Sequence, residues 1–194
     1  MLIRKPMLKL LAVAGLCILP FQGGWADILS KNMESDQTVT QIRSMETKNG
    51  VSAQFWLTAD EQIFAGWMKT GMLRNLKPIT EIKRNTPVYF ALFLANPGIR
   101  RVVTANSLKP KCSSDVTFDL FLITPGANVC LADKQRVAWK GTPPAPELVY
   151  LAKDRGVISF EAIDPLGEYT VVVVVHDNVL KTDMKLARKL TLKD

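Results

Sequence analysis

The chain has 194 residues, of which 47% are hydrophobic and 22% charged, with 25 Lys and Arg against 18 Asp and Glu. This apolar content argues against a disordered chain, and the length suits one domain, or at most one domain with an appended element. The one histidine, His176, excludes a His-rich metal site.

Residues 1–26 have the pattern of a secretory signal peptide. A start with three cations and no acid precedes the apolar stretch Leu10–Leu19, and the small residues Gly24 and Ala26 occupy positions −3 and −1 of the expected cleavage site. A stretch of about ten residues is too short for a transmembrane helix, which needs about 20. We predict cleavage after Ala26, which removes the three cations and lowers the net charge from +7 to +4. The alternatives are an uncleaved N-terminal anchor and lipidation of Cys17.

The first part of the mature chain combines a polar leader with a hairpin. Residues 27–36 are the predicted flexible leader, and a short strand is predicted over Val39–Met45. Asn49-Gly50 is a strong signal for a hairpin turn. From 51 to 57, apolar and polar residues alternate, which is the period of a half-buried strand.

A short helix is predicted over residues 59–69. The segment Thr58–Glu61 has the form of a capping box at a helix start. Four apolar residues follow at helical spacing: Ile63, Phe64, Trp67 and Met68. Gly71 can end the helix.

Period-two alternation and turn signals predict strands through the rest of the chain. These strands are placed at 79–84, 88–94, 101–104, 115–123, 148–151, 157–162, 169–176 and 184–192. Residues 127–147 are predicted to be mostly loop. So many short strands without alternating helices predict an all-β fold, an antiparallel β-sandwich. Residues 37–194 are predicted to form one domain that includes the N-terminal hairpin and helix.

The last strands carry a family resemblance. The segment Phe160–Val171 contains Gly167-Glu168-Tyr169-Thr170-Val171, and His176-Asp177 ends the strand that follows. A Gly-x-Tyr-x-Val step into the penultimate strand resembles bacterial exported immunoglobulin-like β-sandwich domains of unassigned function. The resemblance covers 157–192 and implies an immunoglobulin-like fold. It implies no catalytic residue, and the Cys-Trp-Cys spacing of antibody-type domains is missing.

Two cysteines, Cys112 and Cys130, remain after the predicted cleavage. Two thiols in an oxidising compartment usually pair, so we predict a disulfide between them. A geometric objection stands beside this prediction. If 115–123 is one straight strand, it carries the chain about 30 Å away, and a bridge needs Cα atoms within about 7 Å. Either the segment before residue 115 folds back or the thiols do not pair.

The sequence offers little chemistry for catalysis. His176 stands next to Asp177 and is the only imidazole base, but no Gly-x-Ser-x-Gly nucleophile motif accompanies it. No Asp-x-Asp-x-Asp calcium pattern and no glycine-rich phosphate loop occur in the mature chain. We predict that the protein is not an enzyme and that it has no cofactor and no metal.

Binding is therefore the predicted activity, in the periplasm or outside the cell. Trp56 and Trp139 are the candidate binding residues, together with the predicted loop 127–147. The basic excess favours anionic envelope polymers or lipid head groups, and export argues against nucleic acid. The expected partner is an envelope protein or an anionic envelope polymer. We expect a protein-interaction or structural module that works through a sheet edge or a loop end. The alternative is a carbohydrate- or lipid-binding accessory module. No later stretch is long and apolar enough to cross a membrane.

Overall fold

The computed structural model describes residues 43–62, 64, 78–103, 111–143, 145, 148–154 and 156–194. The predicted signal peptide, its cleavage site at Ala26 and the leader 27–36 lie outside the described residues. Within the described residues the structure is nearly all β. The strands are β1 Met45–Lys48, β2 Val51–Thr58, β3 Glu81–Lys83, β4 Val88–Ala95, β5 Arg100–Val102, β6 Lys111–Ile123, β7 Val129–Gly141, β8 Val149–Leu151, β9 Gly156–Ile158, β10 Gly167–Asp177 and β11 Thr182–Lys193.

The strands form two sheets. The first has the order β1-β2-β4-β8, and β9 also pairs with β4. The second has the order β3-β11-β10-β6-β5, and β7 also pairs with β6. Every pairing is antiparallel except that of β3 with β11. Asn49 and Gly50 have positive φ angles and turn the chain between β1 and β2, as the sequence predicts.

The hydrophobic core lies between the two sheets because alternate residues of the long strands face inward. The predicted alternation of β2 is confirmed, since its odd-numbered residues from Val51 to Leu57 are buried. The valine run of β10 places Val171, Val173 and Val175 in the same core. Tyr169 closes this core near one end, and its hydroxyl donates to the Pro165 carbonyl over 2.8 Å.

Short backbone segments connect the sheets along both sides. On one side Ile79 N donates to Leu57 O of β2, and Thr191 N of β11 donates to Thr80 O. On the other side Ala152 N donates to Leu92 O of β4, and the next residue, Lys153, donates from N to Ala138 O of β7. These bonds satisfy backbone groups that a plain sandwich leaves at its edges.

Two predicted elements differ from the structure. The predicted loop 127–147 is wrong over β7, which is a strand of 13 residues. Its pairing with β6 has three register irregularities, and Gln135 has a positive φ angle. Because each bulge changes which face the following side chains point to, apolar and polar residues do not alternate regularly along β7. The helix predicted over 59–69 is not seen as an element, and most of that span, residues 63 and 65–69, lies outside the described residues.

The predicted disulfide is wrong in this structure, which contains no bond between Cys112 and Cys130. Cys112 lies near the start of β6, opposite Arg101. Cys130 lies beside the other end of β6, where its Sγ donates to Leu122 O over 3.4 Å. Ten residues of extended strand separate these positions by about 33 Å, whereas a disulfide needs about 7 Å between Cα atoms. The geometric objection is correct because β6 runs the full length of the sheet.

Candidate functional site

Trp56 lies on the outer face of the first sheet, where it is half-buried. The Arg188 guanidinium carbon sits 4.7 Å from the centre of its ring, and Arg188 Nε donates to Phe55 O over 2.9 Å. Burial lowers the pKa of this guanidinium. Beside Trp56 is a small apolar cluster that includes Phe64 and Phe93. Arg188 of β11 therefore covers one face of the indole, and that face is not open for a ligand to stack on.

Trp139 lies on β7 and is engaged by two neighbours. The Tyr150 ring approaches it edge to face at 4.7 Å between centroids, and Lys153 Nζ stands 4.7 Å from its ring centre. The indole Nε1 donates to Thr142 O over 2.9 Å. Trp139 contacts β8, whereas Trp56 contacts β11, so the structure does not bring the two predicted binding residues together.

His176 of β10 lies between aspartates of the two flanking strands of the second sheet. Its Nδ1 lies 2.8 Å from Asp183 Oδ1 of β11, and its Nε2 lies 3.5 Å from Asp119 Oδ2 of β6. Its sequence neighbour Asp177 points the other way, into the protein, and is 1% exposed. The pair read from the sequence is thus replaced by two aspartates on flanking strands, which sequence spacing could not indicate. The hydrogen bond with Asp183 ties β10 to β11, whereas Nε2 has no hydrogen-bond partner among the described residues.

Asp177 organises one end of the sandwich, where β10 turns into β11. Its Oδ2 accepts from Gly98 N at 2.6 Å, and its Oδ1 accepts from Val179 N and Leu180 N at 2.9 Å each. Ser114 Oγ donates to Gly98 O over 2.7 Å. A charged acceptor that receives three N–H donors forms strong hydrogen bonds, so the turns at this end are held firmly.

Exposed apolar side chains gather at this same end, which we call the loop end. They are Ile99 (51% exposed), Leu148 (57%), Val149 (50%) and Leu180 (42%). Val149 pairs with Ala95, the last residue of β4, just before the turn that carries Gly98 and Ile99. A Cβ on Gly98 would lie 2.7 Å from the Leu180 side chain, which shows how closely the two turns pack. Large exposed apolar groups on adjoining turns are typical of interaction sites. Sequence reasoning missed this set because its members fall in separate turns.

The described residues contain neither a metal-binding cluster nor a membrane-spanning helix. Across the described ranges, no group of three or more His, Cys, Asp or Glu side chains has an arrangement that could hold a metal ion. In the same part of the chain, no helix has the length and hydropathy that a membrane crossing needs.

Comparison with known proteins gives weak likenesses. No protein-family model and no curated protein matches the sequence. A Niemann-Pick type C2 protein from Japanese carpenter ant has a TM-score of 0.40 and 6% identity, over 79% of this chain and 94% of that one. A family 123 glycoside hydrolase from Clostridium perfringens has a TM-score of 0.40 and 6% identity, over 73% of this chain and 27% of that one. At these scores neither likeness carries a conclusion about function.

Proposed function

We propose that the mature chain is an exported, non-enzymatic β-sandwich that acts as a protein-interaction module of the cell envelope. The observation that carries this proposal is the loop end, where four large apolar side chains stay exposed. Two of them, Ile99 and Leu180, lie on the turns that Asp177 holds in place. A rigid apolar patch binds a protein surface at low entropic cost because little has to be ordered on association.

The loop end is a better candidate than a sheet edge. β7 is the longest strand at an edge, and an open edge can accept a strand from a partner. Three irregularities against β6 and the positive φ angle of Gln135 interrupt its regular backbone. Exposed Lys134 adds a charge there. Bulges and lysines are the features by which edges avoid strand addition.

The carbohydrate-binding alternative is less well supported. Stacking on a sugar needs an accessible aromatic face. The Trp56 ring is already covered by Arg188, and the Trp139 ring contacts both Tyr150 and Lys153. A ligand would have to displace these neighbours before it could stack on either indole.

We also infer that the sandwich is of the immunoglobulin-like type. The order β11-β10-β6 in one sheet and β2-β4-β8 in the other fits the G-F-C and A-B-E strands of that fold. The hydrogen bond from the Tyr169 hydroxyl to the Pro165 carbonyl fits the tyrosine corner found in many such domains. Both features support the family resemblance read from residues 157–192.

Crosslinking in the native envelope tests the interaction proposal. The protein is compared with a loop-end variant, Leu148→Ser with Leu180→Ser, and with a control, Ile163→Ser with Leu166→Ser. The control residues are also exposed but lie at the opposite end of β10. We expect one dominant crosslinked protein that rebinds the purified chain and is lost only in the loop-end variant. Equal crosslinking by all three forms, or none by the unaltered protein, would refute the proposal.

A further inference from the structure

A two-stranded ribbon extends from the loop end. It consists of β5 and the first three residues of β6, with Arg100 opposite Ser113 and Arg101 opposite Cys112. The pairing of β6 with β7 begins only at Ser114, and that with β10 only at Val116. The ribbon therefore lies beyond the strands that form the body of the second sheet.

The ribbon is strongly basic. Arg100, Arg101 and Lys111 are all exposed, and the sequence between Glu81 and Asp115 contains no acidic residue. Among the described residues, no carboxylate forms an ion pair with these three cations, whereas Lys189 and Lys193 each pair with a glutamate. The three charges are therefore available to an anionic partner.

Exposed apolar side chains stand at both ends of β5. Ile99 precedes it and Val103 follows it, and Val103 is 78% exposed. Successive residues of a strand face opposite sides, so Arg100 and Arg101 place cations on both faces of the ribbon. A flat protein surface contacts only one face, whereas a head-group layer surrounds an element that enters it. Cations next to apolar side chains are the composition of membrane-interface segments.

We propose that this ribbon docks the protein on the surface of an anionic phospholipid bilayer. Arg100, Arg101 and Lys111 contact the lipid phosphates, and Ile99 and Val103 enter the interfacial layer. The inference goes beyond the proposed function because it requires no protein partner.

The test measures binding of the purified protein to vesicles that contain phosphatidylglycerol and phosphatidylcholine, against vesicles of phosphatidylcholine alone. We expect binding only to the anionic vesicles, and binding that weakens as salt is added. Each cation near an anionic surface contributes about fivefold to partitioning, so the variant with Arg100, Arg101 and Lys111 each changed to Gln should bind about a hundredfold more weakly. Val103→Ser should also weaken binding, with an unchanged salt dependence.

A matched control changes Lys185, Lys189 and Lys193 of β11 to Gln, which removes the same net charge from another surface. It should keep nearly all of the vesicle binding. An equal loss in this control, or tight binding of the unaltered protein to soluble polyphosphate without binding to vesicles, would overturn the proposal. The loop-end variant, Leu148→Ser with Leu180→Ser, should still bind vesicles. Vesicle binding therefore tests the ribbon separately from the protein-interaction proposal, and either proposal can fail without the other. Circular dichroism of each variant checks that the fold is retained.

Discussion

Two buried tyrosines show how the same hydroxyl has different effects in different surroundings. The Tyr169 hydroxyl donates to Pro165 O, whereas the Tyr150 hydroxyl is buried with no hydrogen-bond partner among the described residues. A net hydrogen bond is worth about 1 kcal/mol, and a buried unsatisfied hydroxyl is costly. We expect Tyr169→Phe to lower the free energy of unfolding by about 1 kcal/mol and Tyr150→Phe to leave it unchanged or raise it. Denaturant unfolding of both variants measures this, and the opposite order would contradict it.

The same side chains predict a response to alkaline pH. Burial, and then the charge of Asp164, raise the pKa of Tyr169 to about 12 from an ordinary value of 10.0. Burial, and then the charge of Asp177, raise the pKa of Tyr150 as well. Between pH 10 and about 12, the Tyr169 hydroxyl has lost its proton in the unfolded chain but still holds it in the folded chain. Stability is therefore retained below about pH 10 and falls as the pH rises toward about 12. Unfolding measured across this range should show a shallower fall for Tyr169→Phe, and identical slopes would contradict the prediction.

At the scale of the elements, the pairing of β9 with β4 depends on a glycine, Gly156. A Cβ on Gly156 would overlap the ring of Phe90, its pairing partner on β4, and that ring is buried in the core. Overpacking of a core costs about 1–3 kcal/mol and occasionally more. We expect Gly156→Ala to destabilise the protein by at least about 2 kcal/mol. Gly126→Ala is the control because the nearest atom to its added Cβ is 3.5 Å away. Equal thermal midpoints for the two variants would show that β9 does not need a glycine.

The strands that the sequence predicts well are those with an undisturbed alternation. β2 and β10 carry regular apolar positions because both pack against the core along their whole length. β7 has no such pattern because its bulges shift the side chains from one face to the other. Arg136 shows the consequence, since its guanidinium carbon lies over the Phe90 ring at 5.4 Å despite being charged. From sequence alone, a charged residue such as Arg136 is expected to be exposed in a loop, although in the structure it packs against core aromatics.

At the scale of the whole molecule, the candidate site was harder to predict than the fold. The place of Trp56 on the polar face of a strand predicts a binding residue, but nothing nearby in sequence shows that Arg188 covers its ring. The loop end combines turns after β4, before β8 and after β10, so it exists only once both sheets are assembled. Local patterns determine strands, whereas this surface depends on contacts between residues far apart in the chain.

The cysteines give a test of the assembled sandwich. β6 separates Cys112 and Cys130 by the length of a sheet, so the intact mass of the purified protein should show no loss of two hydrogens. Iodoacetamide should modify Cys112 before Cys130 because Cys112 is exposed, while Cys130 is partly buried and its Sγ donates to Leu122 O. Cys112→Ser should leave the thermal midpoint unchanged. A native disulfide between the two residues would instead require β6 to fold back on itself, which would break its pairing with both β7 and β10.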